Sequence, residues 1–253
     1  MRSRHRENQL MMTASPMARD NETPEPCWDC AVASVRQGDT VKHRENKQGV
    51  RRVHEAVRRP CLVNRAMVFA DLADFSKVTD AQIPAFLDFF AEVIATAAVS
   101  MPLGAQVRAC GDEVFAVMEN ACDVLRYALA LNRTLAGSNF GDDPLQGPMR
   151  ARIALHAGQI VLGSDPVTGL PSHYGRNVNL AARLERITEP GRVFATSDFI
   201  SRLKQELALP CAELAPRTPG WGVTYLGTLC LPKNFGFQEV YEIREAGCPG
   251  QPD

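Results

Sequence analysis

Two short apolar runs in this chain abut aspartates. Residues 66–70 (Ala66-Met67-Val68-Phe69-Ala70) end at Asp71, and residues 114–118 follow directly on Cys110-Gly111-Asp112-Glu113. A run of about five apolar residues is too short for a stable helix and reads as a buried strand. Residues 106–109 precede Gly111, so 106–118 form a hairpin with its tight turn at that glycine. Helical spacing appears elsewhere. Ile83, Phe86, Leu87, Phe90, Val93, Ile94 and Ala97 recur along one stripe, with candidate N-caps over 76–80. Pro84 is tolerable only in a first turn, which sets the helix start between Thr79 and Ala81. Val124, Leu125, Ala128, Leu131 and Leu135 mark a second helix.

Further along, residues 152–157 and 159–162 read as a strand pair around Gly158. Gly175 precedes a helix running to about Ile187. Residues 193–196 make a strand, 197–206 a helix, and 222–231 with 239–243 two late strands. Strands and helices are mixed, with hairpins in the middle. The expected class is α+β, a sandwich with helices packed on a largely antiparallel sheet.

The boundaries come from a change in composition. Residues 1–60 are polar, lean basic and hold too little apolar surface to fold alone. They read as a flexible segment in which 44–59 can form a short connector helix, with Val50, Val53 and Val57 on one stripe. The folded domain is expected over 61–245 and a disordered tail over 246–253. A net charge of −1 argues against broad nucleic-acid affinity or attraction to a membrane surface. No signal peptide is visible. The apolar stretch 86–105 contains Asp88, Glu92 and a Pro102-Leu103-Gly104 break, so it is no membrane span. The eight cysteines are scattered. Cys27 and Cys30 form a lone C-x-x-C; a structural zinc needs two more ligands, for which His43 or His54 could serve, and free thiols are the simpler reading. A cytoplasmic location is expected.

Asp71 alone is an ordinary helix cap, and Gly-Asp is ordinary turn chemistry. Together, at the ends of neighbouring strands, the two carboxylates suit a pair of Mg²⁺ or Mn²⁺ ions. The backbone after Asp71, through Leu72, Phe75 and Ser76, would offer amides to phosphates as the chain turns into its helix. Asn179 and Arg183 are four residues apart and share a helix face. Arg183 can neutralise a transferring phosphoryl group and Asn179 can orient a ribose. Arg152 starts a strand and can reach phosphate. Lys233, in a late loop, carries no weight alone.

At this point the residues resemble a known family. Phe69-Ala70-Asp71-Leu72-Ala73-Asp74-Phe75-Ser76, Cys110-Gly111-Asp112-Glu113, Arg152-Ile153-Ala154-Leu155-His156-Ala157-Gly158 and Gly175-Arg176-Asn177-Val178-Asn179-Leu180-Ala181-Ala182-Arg183 look like the ordered signatures of class III adenylate and guanylate cyclase catalytic domains of the bacterial type. The resemblance covers residues 64–244. It implies a ferredoxin-like fold and a homodimer with its sites at the interface. Asp71 and Asp112 would hold two divalent ions. The partner subunit would supply Asn179 to the ribose and Arg183 to the α-phosphate, and Arg152 and Lys233 would hold the outer phosphates. A nucleoside triphosphate, ATP ahead of GTP, would close to a 3′,5′-cyclic nucleotide and release pyrophosphate.

The chain departs from the family at three positions. Arg108 and Ser172 occupy the base-reading places, where Lys or Glu and Asp or Thr are usual. Arg only donates hydrogen bonds, whereas Ser donates and accepts, so the pair suits either purine. Asp74 replaces the usual Gly of the first loop. Two alternatives stand beside the cyclase reading: a diguanylate cyclase-like enzyme, suggested by residues 111–117, and a catalytically idle nucleotide-binding or dimerisation module.

Overall fold

The computed structural model describes residues 60–99, 101–138, 140, 149–208 and 220–245. The expected connector helix over 44–59, Cys27, Cys30, His43, His54 and the tail over 246–253 lie outside them. The elements are β1 (Cys61–Leu72), α1 (Ile83–Ala98), β2 (Gln106–Cys110), β3 (Glu113–Met118), α2 (Ala121–Gly137), β4 (Ala151–Ser164), β5 (Pro171–Tyr174), α3 (Arg176–Glu185), β6 (Val193–Thr196), α4 (Ser197–Leu207), β7 (Trp221–Leu231) and β8 (Gly236–Glu245).

The first six form a βαββαβ unit whose strands lie in the order β2-β3-β1-β4, each pair antiparallel. This is the ferredoxin-like arrangement. The sheet continues through β6, β8 and β7, and the β4–β6 pair is parallel.

The unbroken apolar run in β1 now has its cause, because both faces of the strand are covered. Ala66, Val68, Ala70 and Leu72 join the core under α1, α2 and α4. Met67 and Phe69 face the other way and pack with Ile160 and with Ala181 of α3. Phe86, Phe90, Val93 and Ala97 are the buried stripe of α1, at the spacing that brings one helix face to the core. Leu180 and Leu184 of α3 close over Ala154, Phe194, Leu231 and Val240. Among the described residues no helix is long and apolar enough to cross a membrane.

Three details differ from the sequence reading. α1 starts at Ile83, past the expected 79–81 window, and Pro84 sits in its first turn. Its entry is fixed by Gln82, whose Oε1 accepts from the Thr79 amide at 3.0 Å and the Thr79 hydroxyl at 2.8 Å. Residues 151–164 form one strand, not a pair around Gly158, which stays in register opposite Arg65. β5 was not anticipated, because only its two middle residues are buried and the segment has no apolar run.

The N-terminus of α2 is held from a distance. Asn120 provides no side-chain cap. Glu206 of α4 does the work instead, accepting from the amides of Ala121 at 3.0 Å and Cys122 at 2.9 Å. Its carboxylate also lies on the positive end of the helix dipole, and Arg202 donates to it at 2.7 Å. Burial and the neighbouring Glu206 push the Cys122 thiol up to about 12, so that thiol is inert. Replacing Glu206 with Ala strips two buried amides of their acceptor. Urea unfolding should show a loss of about 1–3 kcal/mol, with Glu206→Gln losing less. An unchanged midpoint in Glu206→Ala would contradict this capping role.

Candidate active site

Alternation along β1 puts Asp71 on the same face as Met67 and Phe69, the face covered by α3. The strand register then sets a row across three strands. Asp71 lies opposite Glu113 of β3 on one side and opposite Arg152 of β4 on the other. Arg152 Nη1 donates to Asp71 Oδ2 at 3.0 Å. Asp112 occupies the turn between β2 and β3. Cys110 pairs with Glu113 there, leaving a two-residue loop whose first position, Gly111, has φ 65°. That geometry is the type II′ pattern, and it requires glycine.

The turn delivers Asp112 to Asp71. Partial burial raises the Asp112 carboxyl above its ordinary range, and the nearby Asp71 carboxylate adds to the rise. Glu185, at the end of α3, is pushed up to about 7 by burial and then by the charge of Asp71. Acids thus outnumber bases at the ends of β1 and β3, a charge distribution that favours an incoming cation. Among the described residues no three His, Cys, Asp or Glu side chains are grouped to hold a metal. A cation held by Asp71 and Asp112 would need its other ligands from backbone, water or substrate, as Mg²⁺ and Mn²⁺ ordinarily do.

The loop after β1 is a short 3₁₀ turn, Phe75–Lys77. Leu72 is a core residue, and its amide already donates to the Asp112 carbonyl at 3.3 Å. The Leu72 amide is therefore spent on joining the two acid-bearing turns. Among the described residues the amides of Phe75 and Ser76 have no carbonyl partner. Asp74 has φ 67°, the left-handed region in which glycine is easiest. Its carboxylate is tied to Lys77 Nζ at 3.0 Å.

α3 approaches β4 closely. A Cβ on Gly158 would lie 2.5 Å from Asn177 Nδ2. The Asn177 amide donates to the Gln159 carbonyl at 2.8 Å, and its Oδ1 lies 3.1 Å from His156 Nε2. His156 Nδ1 lies 2.8 Å from Thr196 Oγ1, which also accepts from the Phe199 amide as the cap of α4. Burial lowers the His156 pKa, so the ring is neutral and can donate from one nitrogen and accept at the other. This chain fixes the pose of α3, and α3 carries Asn179, which is exposed, and Arg183, which is half-buried.

Lys233 lies in the β7–β8 turn and is exposed, with φ 59°. Phe235 in the same turn packs against the cluster that contains Leu180 and Leu184. The guanidinium of Arg183 lies over its ring, 5.9 Å from the centroid.

The two base-reading positions meet, although 64 residues separate them: Arg108 Nη1 donates to Ser172 Oγ at 3.3 Å. Beside them His173 is buried, edge-on to Phe115 at 5.5 Å, and among the described residues neither ring nitrogen has a hydrogen-bond partner. Burial, helped by the charges of Arg108 and Arg65, lowers its pKa to about 4. Glu113, Glu185, His173 and Phe235 were not reached from the sequence. Glu113 and His173 adjoin residues that were, so proximity to Asp112 and Ser172 was the available signal. Nothing local marks Glu185 or Phe235.

Residues 62–214 match the sequence profile of the adenylate and guanylate cyclase catalytic domain. The fold is similar to an adenylate cyclase from Trypanosoma brucei solved in its monomeric state, with a TM-score of 0.60 at 17% identity over 75% of this chain and 91% of that one. It is similar to the adenylyl cyclase CyaB from P. aeruginosa, with a TM-score of 0.59 at 15% identity over 74% and 97%. It is also similar to the guanylate cyclase domain of RhGC from Catenaria anguillulae in complex with GTP, with a TM-score of 0.57 at 17% identity over 72% and 96%. At these identities the likeness is one of fold. No curated protein matches.

The neutral His173 makes the fold sensitive to acid. An unfolded histidine takes up a proton below about 6.5, whereas His173 in the fold stays neutral down to about 4. Between those values the unfolded chain binds more protons, and stability falls as pH drops. His173→Leu should therefore lose less melting temperature than the wild type between pH 6.5 and pH 4. Parallel melting curves would contradict this.

Proposed function

The chain belongs to the adenylate and guanylate cyclase catalytic domain family, and on that premise we propose that it converts a nucleoside triphosphate, ATP ahead of GTP, into a 3′,5′-cyclic nucleotide and pyrophosphate. The observation that carries this reading is the meeting of Asp71 and Asp112 at the ends of adjacent strands, with Arg152 paired to one of them. Family membership sets aside the diguanylate cyclase-like alternative. The idle-module alternative rests on Arg108 and Asp74; Arg108 donates to Ser172, and the Asp74 carboxylate is bound to Lys77 and so adds little net charge near a phosphate.

In the proposed reaction the ribose 3′-oxygen forms a bond to the α-phosphorus. The bond from that phosphorus to the oxygen bridging to the β-phosphate breaks, pyrophosphate carries away the electron pair, and the 3′ proton passes to solvent. Asp71 and Asp112 would hold Mg²⁺ or Mn²⁺, which when bound supplies charge neutralisation and a more acidic 3′-hydroxyl. Arg152 holds Asp71 in place in the protein alone and, with Lys233, is a candidate for the outer phosphates. The amides of Phe75 and Ser76, which have no carbonyl partner among the described residues, suit phosphate oxygens. Asn179 would orient the ribose and Arg183 would stabilise charge on the α-phosphate. The Arg108–Ser172 pair offers donors to N1 of adenine or O6 of guanine. We place the site at the interface of a cytoplasmic homodimer, with Asn179 and Arg183 entering from the second subunit.

Purified protein with Mn²⁺ and either nucleotide should form cyclic nucleotide and pyrophosphate together. Asp71→Asn should lower the rate by about 100-fold or more without lowering the melting temperature. An equal mixture of Asp71→Asn and Arg183→Ala chains should recover about one quarter of the wild-type rate, because about half the dimers are hybrids that keep one complete site. No recovery would argue against a shared site, and no product with either nucleotide would overturn the cyclase reading.

A further inference from the structure

Arg176, Asn179 and Arg183 occupy one face of α3, at spacings of three and seven residues. Most arginines in the described part of the molecule have an acidic partner: Arg126 with Asp123, Arg152 with Asp71, Arg192 with Glu189 and Glu242, Arg202 with Glu206. Among the described residues Arg176 and Arg183 form no ion pair. The Arg183 Nε is buried and, among the described residues, has no hydrogen-bond acceptor. A desolvated guanidinium N–H without an acceptor is costly and rare. What meets both arginines is one ring. The guanidinium of Arg176 lies 5.2 Å from the Phe235 centroid and that of Arg183 lies 5.9 Å from it. Both are within the range at which an aromatic face attracts a cation.

The ring is itself held. Phe235 packs against the apolar cluster of Leu180, Leu184, Leu231 and Val240, so α3 and the last hairpin share it. The hairpin turn reaches this pose with two successive left-handed residues, Lys233 at φ 59° and Asn234 at φ 58°. Lysine seldom takes that conformation, and it persists only where surrounding contacts enforce it. One aromatic side chain therefore links three cations, Lys233 through the backbone and two arginines through its ring.

We propose that Phe235 is a positioning residue. It holds Arg183 in place over its ring without consuming the hydrogen bonds that a substrate phosphate needs, and it places Arg176 beside Arg183 as a second guanidinium for the same polyanion. A carboxylate partner would fix Arg183 equally well but would cancel its charge. The aromatic ring fixes it and leaves the charge available. The inference deepens the cyclase reading and rests on it for the role of Arg183.

The test uses the full chain labelled with ¹⁵N-arginine. The Arg183 Nε–H resonance, identified by its loss in Arg183→Lys, should be displaced by the ring current of Phe235. It should return to the ordinary arginine position in Phe235→Leu and remain displaced in Phe235→Tyr. Phe235→Met replaces the leucine variant if that one unfolds. In turnover assays Phe235→Leu should lower kcat about tenfold, which is about 1.4 kcal/mol, with KM within about twofold. Phe235→Tyr should restore the rate. A merely structural ring would lower the melting temperature and leave the resonance and the kcat of the folded fraction unchanged, which would overturn the proposal. If the wild type turns over neither nucleotide, the cyclase reading fails, and the resonance still decides whether Phe235 positions Arg183.

Discussion

Two carboxylates held side by side repel each other, and the architecture around β1 is what keeps Asp71 and Asp112 together. β1 is buried on both faces and cannot shift its register without exposing one apolar set or the other. Its register with β3 and β4 fixes Asp71 between Glu113 and Arg152. The glycine turn fixes Asp112, and the Leu72 amide ties the two turns through the Asp112 carbonyl. Burial raises the Asp112 carboxyl above its ordinary range and the Asp71 carboxylate adds to the rise, while Arg152 donates to Asp71. A site of this kind is organised before any cation arrives, which is the condition under which electrostatic stabilisation acts without reorganisation cost.

The second half of the site depends on how α3 is seated. Its apolar residues give adhesion but not precision. Gly158 lets Asn177 approach the strand, and His156 carries the hydrogen bonding on to Thr196 at the start of α4. The residues between Arg152 and Gly158, and those from Gly175 to Arg183, thus serve two purposes. Arg152, Asn179 and Arg183 are the candidates to meet a ligand, Arg152 being paired with Asp71 in the protein alone, while His156, Gly158 and Asn177 hold the elements that carry them. The ring of Phe235 completes the seating from the opposite side.

Much of the fold was legible because periodicity reports faces. The stripe in α1, the double burial of β1 and the glycine turn before Asp112 all follow from local spacing. What local spacing does not report is the partner across space. Gly158 reads as a turn in sequence, yet the strand continues through it because its missing Cβ makes room for Asn177. The α2 cap comes from Glu206 on another helix, a partner that no local spacing reports. β5 has too few buried residues to show a pattern. Within the candidate site, Asp71, Asp112, Arg152 and Arg183 could be named because charged residues at strand ends and on one helix face are conspicuous. His173, Glu185 and Phe235 could not, because their surroundings are built by other segments of the chain.

The central claim is that Asp71 and Asp112 act as one cation-binding unit with the triphosphate. Mn²⁺ binding, followed by electron paramagnetic resonance in the presence of a 3′-deoxy nucleoside triphosphate that cannot cyclise, tests it most directly. The account predicts bound Mn²⁺ in the wild type and its loss in Asp112→Asn, with the fold intact. Equal Mn²⁺ binding by the two proteins would contradict it.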